Sequence, residues 1–132
     1  MASILVVDDE EEVGEVIRRV LERAGFEVTV VTNAAAGLQS VDQQPPDVVV
    51  TDVIMPKVHG IELIKTLRQR HPRIRVIAIS GGGSFGPLAY KPDAISTHAF
   101  LAAAQDAGAA EMLTKPFDMD DLLAAVRRQL PN

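Results

Sequence analysis

Four short groups of reactive residues punctuate the sequence, and each closes an apolar run. Asp8 and Asp9 follow Ile4-Leu5-Val6-Val7, Asp52 follows Val48-Val49-Val50-Thr51, Ser80 follows Ile74 to Ile79, and Lys115 follows Glu111 to Thr114. Three carboxylates brought to one point repel one another, and keeping all of them ionised requires a cation. Oxygen-only donors select a hard metal, and a small site that retains water favours Mg²⁺ over Ca²⁺. Lys115 adds a second positive charge. A metal and an ammonium flanking Asp52 suit an incoming phosphoryl group, whose transfer needs alignment and charge neutralisation above all. A carboxylate can itself be the nucleophile, giving an acyl phosphate. Taken singly, each residue has a plainer use: Asp8 or Asp9 as a helix cap, Ser80 in a turn, Lys115 on the surface. Gathered in order at one edge, they point to a site.

The elements that must gather them are legible in the apolar spacing. The run Ile4–Val7 predicts a buried strand. Val13, Val16, Ile17, Val20, Leu21 and Ala24 recur at three- and four-residue steps, which predicts a helix with one apolar stripe, stopped by Gly25. A second strand is predicted over Glu27 to Val31, then a helix capped by Asn33 that carries Leu38 and Val41 and is broken by Pro45-Pro46. The third strand delivers Asp52. A loop is predicted from Pro56 to Gly60, a helix marked by Leu63, Ile64 and Leu67, and a fourth strand over Ile74–Ile79. A helix resumes near Ile95 with Phe100, Leu101 and Ala104 on its core face. A short strand follows at Glu111–Thr114. Asp118 opens the last helix, with Asp121 placed for a capping box and Leu122, Leu123, Val126 and Leu130 facing inward. Five strands alternating with five helices predict an α/β fold with a parallel sheet covered on both faces. The expected form is a flavodoxin-like (βα)5 three-layer sandwich with strand order 2-1-3-4-5 and its site at the C-terminal strand ends.

Composition narrows the classes. The chain has 132 residues, 47% of them apolar, enough for one domain with a true core, expected to span residues 1–132. It has no cysteine, which excludes disulfides and thiolate metal sites. No run is long enough for a membrane span, and the acids after Val7 do not suit a signal peptide. A cytoplasmic location is expected. The formal charge of −5 disfavours nucleic acid as a partner. Arg68, Arg70, Arg73 and Arg75 crowd around His71, which reads first as a solvated helix end and second as a partner patch.

The motifs Val6-Val7-Asp8-Asp9, Thr51-Asp52-Val53-Ile54-Met55-Pro56, Gly60, Ile79-Ser80-Gly81 and Thr114-Lys115-Pro116-Phe117 occur in order, and with them the sequence resembles the response-regulator receiver family of two-component signalling. The resemblance covers residues 3–130. It implies that Asp52 is the phosphoacceptor, supplied by a sensor histidine kinase or a histidine phosphotransfer protein. It implies Mg²⁺ bound by Asp9 and Asp52, by Asp8 directly or through water, and by the main-chain carbonyl of Ile54. Lys115 would pair with the phosphate. Ser80 would move inward to a phosphate oxygen, assisted by the Gly81 amide. Only Pro131 and Asn132 follow the last predicted helix, so a stand-alone receiver acting on a separate protein target is expected, through a surface near residues 96–130.

The sequence departs from the family in three places. Met112 stands where an aromatic switch residue is usual, and a thioether can also fill or vacate a pocket. His59 stands where an acid commonly precedes the glycine, and reads as a solvent-facing loop residue. The segment between Ser80 and Lys115 is longer than the family norm by roughly a dozen residues, of the kind that in compact domains tends to be functional or disordered. Its Phe85, Leu88 and Tyr90 suit a part in a partner surface that shifts on phosphorylation. The apolar Ile54, two past the acceptor, should hinder hydrolytic water.

Other readings fit less well. A Mg²⁺-dependent phosphatase with an aspartate nucleophile usually carries Asp-x-Asp after its first strand, whereas Asp8 and Asp9 are adjacent. A degenerate receiver that only binds partners is opposed by the intact Asp8, Asp9, Asp52, Ser80 and Lys115 set. The Gly81-Gly82-Gly83 run lacks the Lys-Ser/Thr of a nucleotide loop. The expected protein is therefore a binding switch and not an enzyme.

Overall fold

The computed structural model describes residues 2–53, 59–80, 102–114 and 117–130. The elements alternate as β1 (Ser3–Val7), α1 (Glu11–Arg23), β2 (Glu27–Val31), α2 (Ala34–Gln43), β3 (Val48–Asp52), α3 (His59–Arg70) and β4 (Arg75–Ser80), then a helical stretch over residues 102–107 (α4), β5 (Glu111–Thr114) and α5 (Met119–Gln129). All strand pairs are parallel, and the sheet order is β2-β1-β3-β4-β5, the predicted flavodoxin-like arrangement.

The unbroken apolar character of β1, β3 and β4 follows from burial on both faces. Alternate side chains go to opposite sides. Leu5, Val7, Val49, Val76 and Ala78 enter a core with Val41 of α2, Leu63, Ile64 and Leu67 of α3, and Ala104 of α4. Ile4, Val6, Val48, Val50, Ile77 and Ile79 enter the other, with Val13, Ile17 and Leu21 of α1 and Leu122, Ala125 and Val126 of α5. The partial alternation in Glu27-Val28-Thr29-Val30 reports an edge strand, with Glu27 and Thr29 exposed.

Local chemistry sets the ends. Phe26 N–H reaches Leu21 O at 3.1 Å and Gly25 N–H reaches Glu22 O at 3.0 Å, a Schellman close to α1. The Asn33 side chain accepts from Ala36 N–H at 2.8 Å, the predicted cap of α2. At the end of α4, Gly108 has φ +120°, and a Cβ there would overlap Cγ of Arg68 and lie 2.7 Å from its Cδ. That same Arg68 donates to the carbonyls of Pro72 at 3.0 Å and Ile74 at 3.4 Å.

Four expectations change. Val16 is 48% exposed and lies outside the buried stripe of Val13, Ile17 and Leu21. The helix rides close to β2 at Gly14, where a Cβ would sit 2.7 Å from a methyl of Val30, and this turns the stripe away from Val16. Gly60 belongs to the first turn of α3, which starts at His59, and not to a loop. Ile74 precedes β4, which starts at Arg75. The capping box at α5 does not form: Asp118 is the N-cap without a side-chain bond, and Asp121 N–H reaches its main-chain oxygen at 3.0 Å. The arginine cluster is partly committed to the helix end, since Arg70 and His71 hold Asp42 of α2 at 2.6 and 2.9 Å. The 81–94 insertion and the start of the helix expected near Ile95, with Phe100 and Leu101, lie outside the described residues. No helix among the described residues is long and apolar enough to cross a membrane.

Glu111 fastens β5 to α5. Its carboxylate accepts from Arg128 at 2.6 Å, and from the Gln129 amide. The Arg128 hydrogen bond is the main cause that holds the Glu111 carboxyl below the usual carboxylate range, with partial burial opposing it. A carboxyl lowered in the folded state stabilises the protein above its unfolded pKa and loses that contribution as pH falls through the folded value. Glu111→Gln should therefore cost about 1 kcal/mol at neutral pH. In urea titrations the gap between the two proteins should close as pH drops below the ordinary glutamate pKa; a constant gap would contradict the ion pair's role.

Candidate functional site

Strand register carries the ends of β1, β3, β4 and β5 to a common edge. Val7 pairs with Thr51, Thr51 with Ala78 and Ala78 with Met112, while Asp52 pairs with Ile79 and Ser80 with Thr114. Asp8 and Asp52 each follow the Val7–Thr51 pair, so two neighbouring strands present an aspartate at the same level. Alternation puts both on the side of Val6 and Val50, toward α1 and α5.

Asp8, Thr51 and Asp52 are fully buried. Taking an ionised carboxylate out of water is costly without compensating partners, so the fold must supply them. One Asp8 oxygen accepts from Glu10 N–H at 2.9 Å, an Asx turn that reverses the chain directly after β1. The Asp8 main-chain N–H still reaches Val31 O at 3.1 Å and anchors the turn to β2. Asp9 is consequently exposed and Glu10 half-buried. The carboxylates of Asp8, Asp9 and Glu10 bring ligand oxygens within 4.8 Å of one another.

Asp52 stands outside that trio and adjoins it through the register of β1 and β3. Glu10 is the member that sequence reading missed. Its signal was its adjacency in Asp8-Asp9-Glu10, hidden among the acids that open α1. Glu10 also occupies the N-cap of α1, without a side-chain cap bond, which removes the helix-cap reading of Asp8 and Asp9. Past Asp52, Val53 N–H bonds Ile79 O at 3.0 Å and Val53 is buried, so the chain stays anchored to β4 just beyond Asp52. The first turn of α3 then closes on it: a Cβ at Gly60 would overlap the main-chain oxygen of Asp52 and lie 2.7 Å from Val53 Cα.

Met112 lies on the opposite side of the sheet, beside Ala78, half-buried against the core of α2, α3 and α4. Ser80 ends β4. Ile54, Gly81 and Lys115 lie outside the described residues. The donor set is made of hard oxygens, one carboxylate buried, one half-buried and one exposed, which fits a partly hydrated Mg²⁺.

The sequence matches the family described as "Response regulator receiver domain" over residues 4–127. It is 34% identical over 130 residues to the DNA-binding transcriptional regulator NtrC of Escherichia coli strain K12, covering 96% of this chain and 24% of that protein. It is 29% identical to the response regulator receiver protein CpdR of Brucella abortus, covering 98% of both. The chain thus spans about a quarter of the length of the NtrC relatives it matches. Among solved structures, the receiver domain of NtrX from Brucella abortus aligns with a TM-score of 0.81 at 26% identity, covering 96% of this chain and 97% of that one. Chemotaxis protein CheY4 of Vibrio cholerae aligns with a TM-score of 0.80 at 25% identity, covering 98% and 99%.

The contact at Gly60 decides between two opposing effects. Helix propensity alone favours alanine there by about 1 kcal/mol. Overpacking against the Asp52 and Val53 backbone costs roughly 1–3 kcal/mol. Gly60→Ala should therefore be a net loss in urea unfolding; a gain would mean that α3 yields freely at this point.

Proposed function

This chain belongs to the response regulator receiver domain family, and from that membership we propose that it is a phosphorylation-dependent signalling switch whose acceptor is Asp52. The observation that carries this reading is a fully buried Asp52 ending β3 level with Asp8, next to a cluster of acids. Asp8, Asp9 and Asp52 would hold Mg²⁺ with the Ile54 carbonyl, and Glu10 stands close enough to join them. When bound, the cation supplies neutralisation of the carboxylates and of the phosphoryl oxygens.

An Asp52 carboxylate oxygen forms the O–P bond as the P–N bond of a donor phosphohistidine breaks, and the released imidazole takes up a proton. Burial keeps the nucleophile free of a water shell, and the pairing of Asp52 with Ile79 of β4 keeps it aligned. Lys115 pairs with the transferred phosphate. The Ser80 hydroxyl and the Gly81 amide donate to its oxygens, and Met112 repacks in place of an aromatic switch. The donor is a sensor histidine kinase or a histidine phosphotransfer protein in the cytoplasm. The signal leaves by altered binding to a protein target through the 96–130 face, with no substrate turned over.

Acetyl phosphate with Mg²⁺ should add one acid-stable, base-labile phosphate, read by intact mass. Asp52→Asn and removal of divalent metal should each abolish it. Continuous hydrolysis of acetyl phosphate with little protein-bound phosphate would favour an aspartyl-phosphate phosphatase instead. The phospho-form should be long-lived because Ile54 excludes water. Ile54→Asn should shorten its lifetime by about tenfold, or about 1.4 kcal/mol of barrier; an unchanged decay rate would remove Ile54 from that role.

A further inference from the structure

The opposite edge of the sheet, where the strands begin, holds a local group of arginines. A cleft of about 560 Å³ opens between the start of β3, the start of β4 and the end of α5. Arg73, Arg75 and Arg128 line it together with Pro46, Ile74 and Leu130. Arg128 is committed to Glu111 at 2.6 Å. Arg73 and Arg75 are exposed and have no side-chain partner among the described residues. The one carboxylate among the cleft's described residues, Asp47, is already used, since it accepts from Ser3 N–H at 2.9 Å.

Two free guanidinium forks beside apolar walls form a surface for carboxylates on a polypeptide. Each fork can take a carboxylate bidentately, and the walls can cover an apolar side chain between them. The carbonyl end of α5 also faces this region, but Arg127 and Arg128 in its last turn answer that partial charge. A nucleic acid would have to lay many phosphates along a chain whose formal charge is −5, which opposes it at long range. A short acidic segment needs only the cleft. We propose that this cleft docks an acidic, leucine-containing segment of a partner polypeptide. It lies roughly 15 Å from the acceptor edge, the length of a five-residue strand, so a partner seated there leaves the phosphorylation site open.

The test is fluorescence anisotropy of the full chain with a fluorescein-labelled Glu-Glu-Leu repeat peptide. Saturable binding that weakens with added salt is expected. Arg73→Glu with Arg75→Glu should weaken it roughly tenfold, the scale of two exposed charge-assisted contacts. Both positions are exposed, so thermal unfolding of this variant should match the parent. Arg73→Lys with Arg75→Lys should fall between, because charge remains but the fork is lost. Asp52→Asn should bind the peptide as the parent does. No saturable binding at low salt, binding that survives the double charge reversal, or tighter binding of an oligouridylate of equal length would each overturn the proposal.

Discussion

Two carboxylates withdrawn from water on neighbouring strands are the constraint around which this structure is built. Asp8 and Asp52 sit at one level, on one side of the sheet, both fully buried. Such a placement is unfavourable unless the surroundings answer it. The Asx turn after β1, the Val53–Ile79 hydrogen bond just past β3 and the tight first turn of α3 all serve to hold those groups in place. The apolar strands behind them supply rigidity. Val6, Val7, Val50 and Thr51 are fully buried, so the aspartates cannot retreat without disrupting both cores.

Two local groups of charge thereby stand at the two ends of the sheet. Acids collect where the strands finish, from Asp8 through Glu12, and arginines collect where β4 and its preceding turn begin. A parallel sheet makes such grouping possible, because every strand start lies at one edge and every strand finish at the other. Residues far apart in sequence are sorted by their position along a strand.

The fold was legible because its strands are short apolar runs bounded by reactive or turn residues, and because Asn33 and Gly25 punctuate the helices by local chemistry. The aspartates were legible for the same reason: they end buried runs. What escaped was set by tertiary contact. Val16 fits the helical spacing, yet the approach of α1 to β2 at Gly14 turns it outward. Gly60 looked like loop punctuation, yet it is where α3 touches the Asp52 backbone. Asp118 and Asp121 had the spacing of a reciprocal cap, but the helix start satisfies itself through the main chain. Glu10 looked like one acid among several until the turn at Asp8 drew its carboxylate into the trio.

The meeting of Gly108 with Arg68 has an evolutionary corollary. The guanidinium grips the turn leading into β4 while its aliphatic stem fills the space that any side chain at position 108 would need. Position 108 is thus closed to a side chain both by its backbone angle and by the Arg68 stem. With φ +120° at position 108, a side chain there is strained even beside a truncated residue 68, and truncation strips the Pro72 and Ile74 carbonyls of their shared donor. Glycine at 108 and a long donor at 68 should therefore persist together among descendants of this chain.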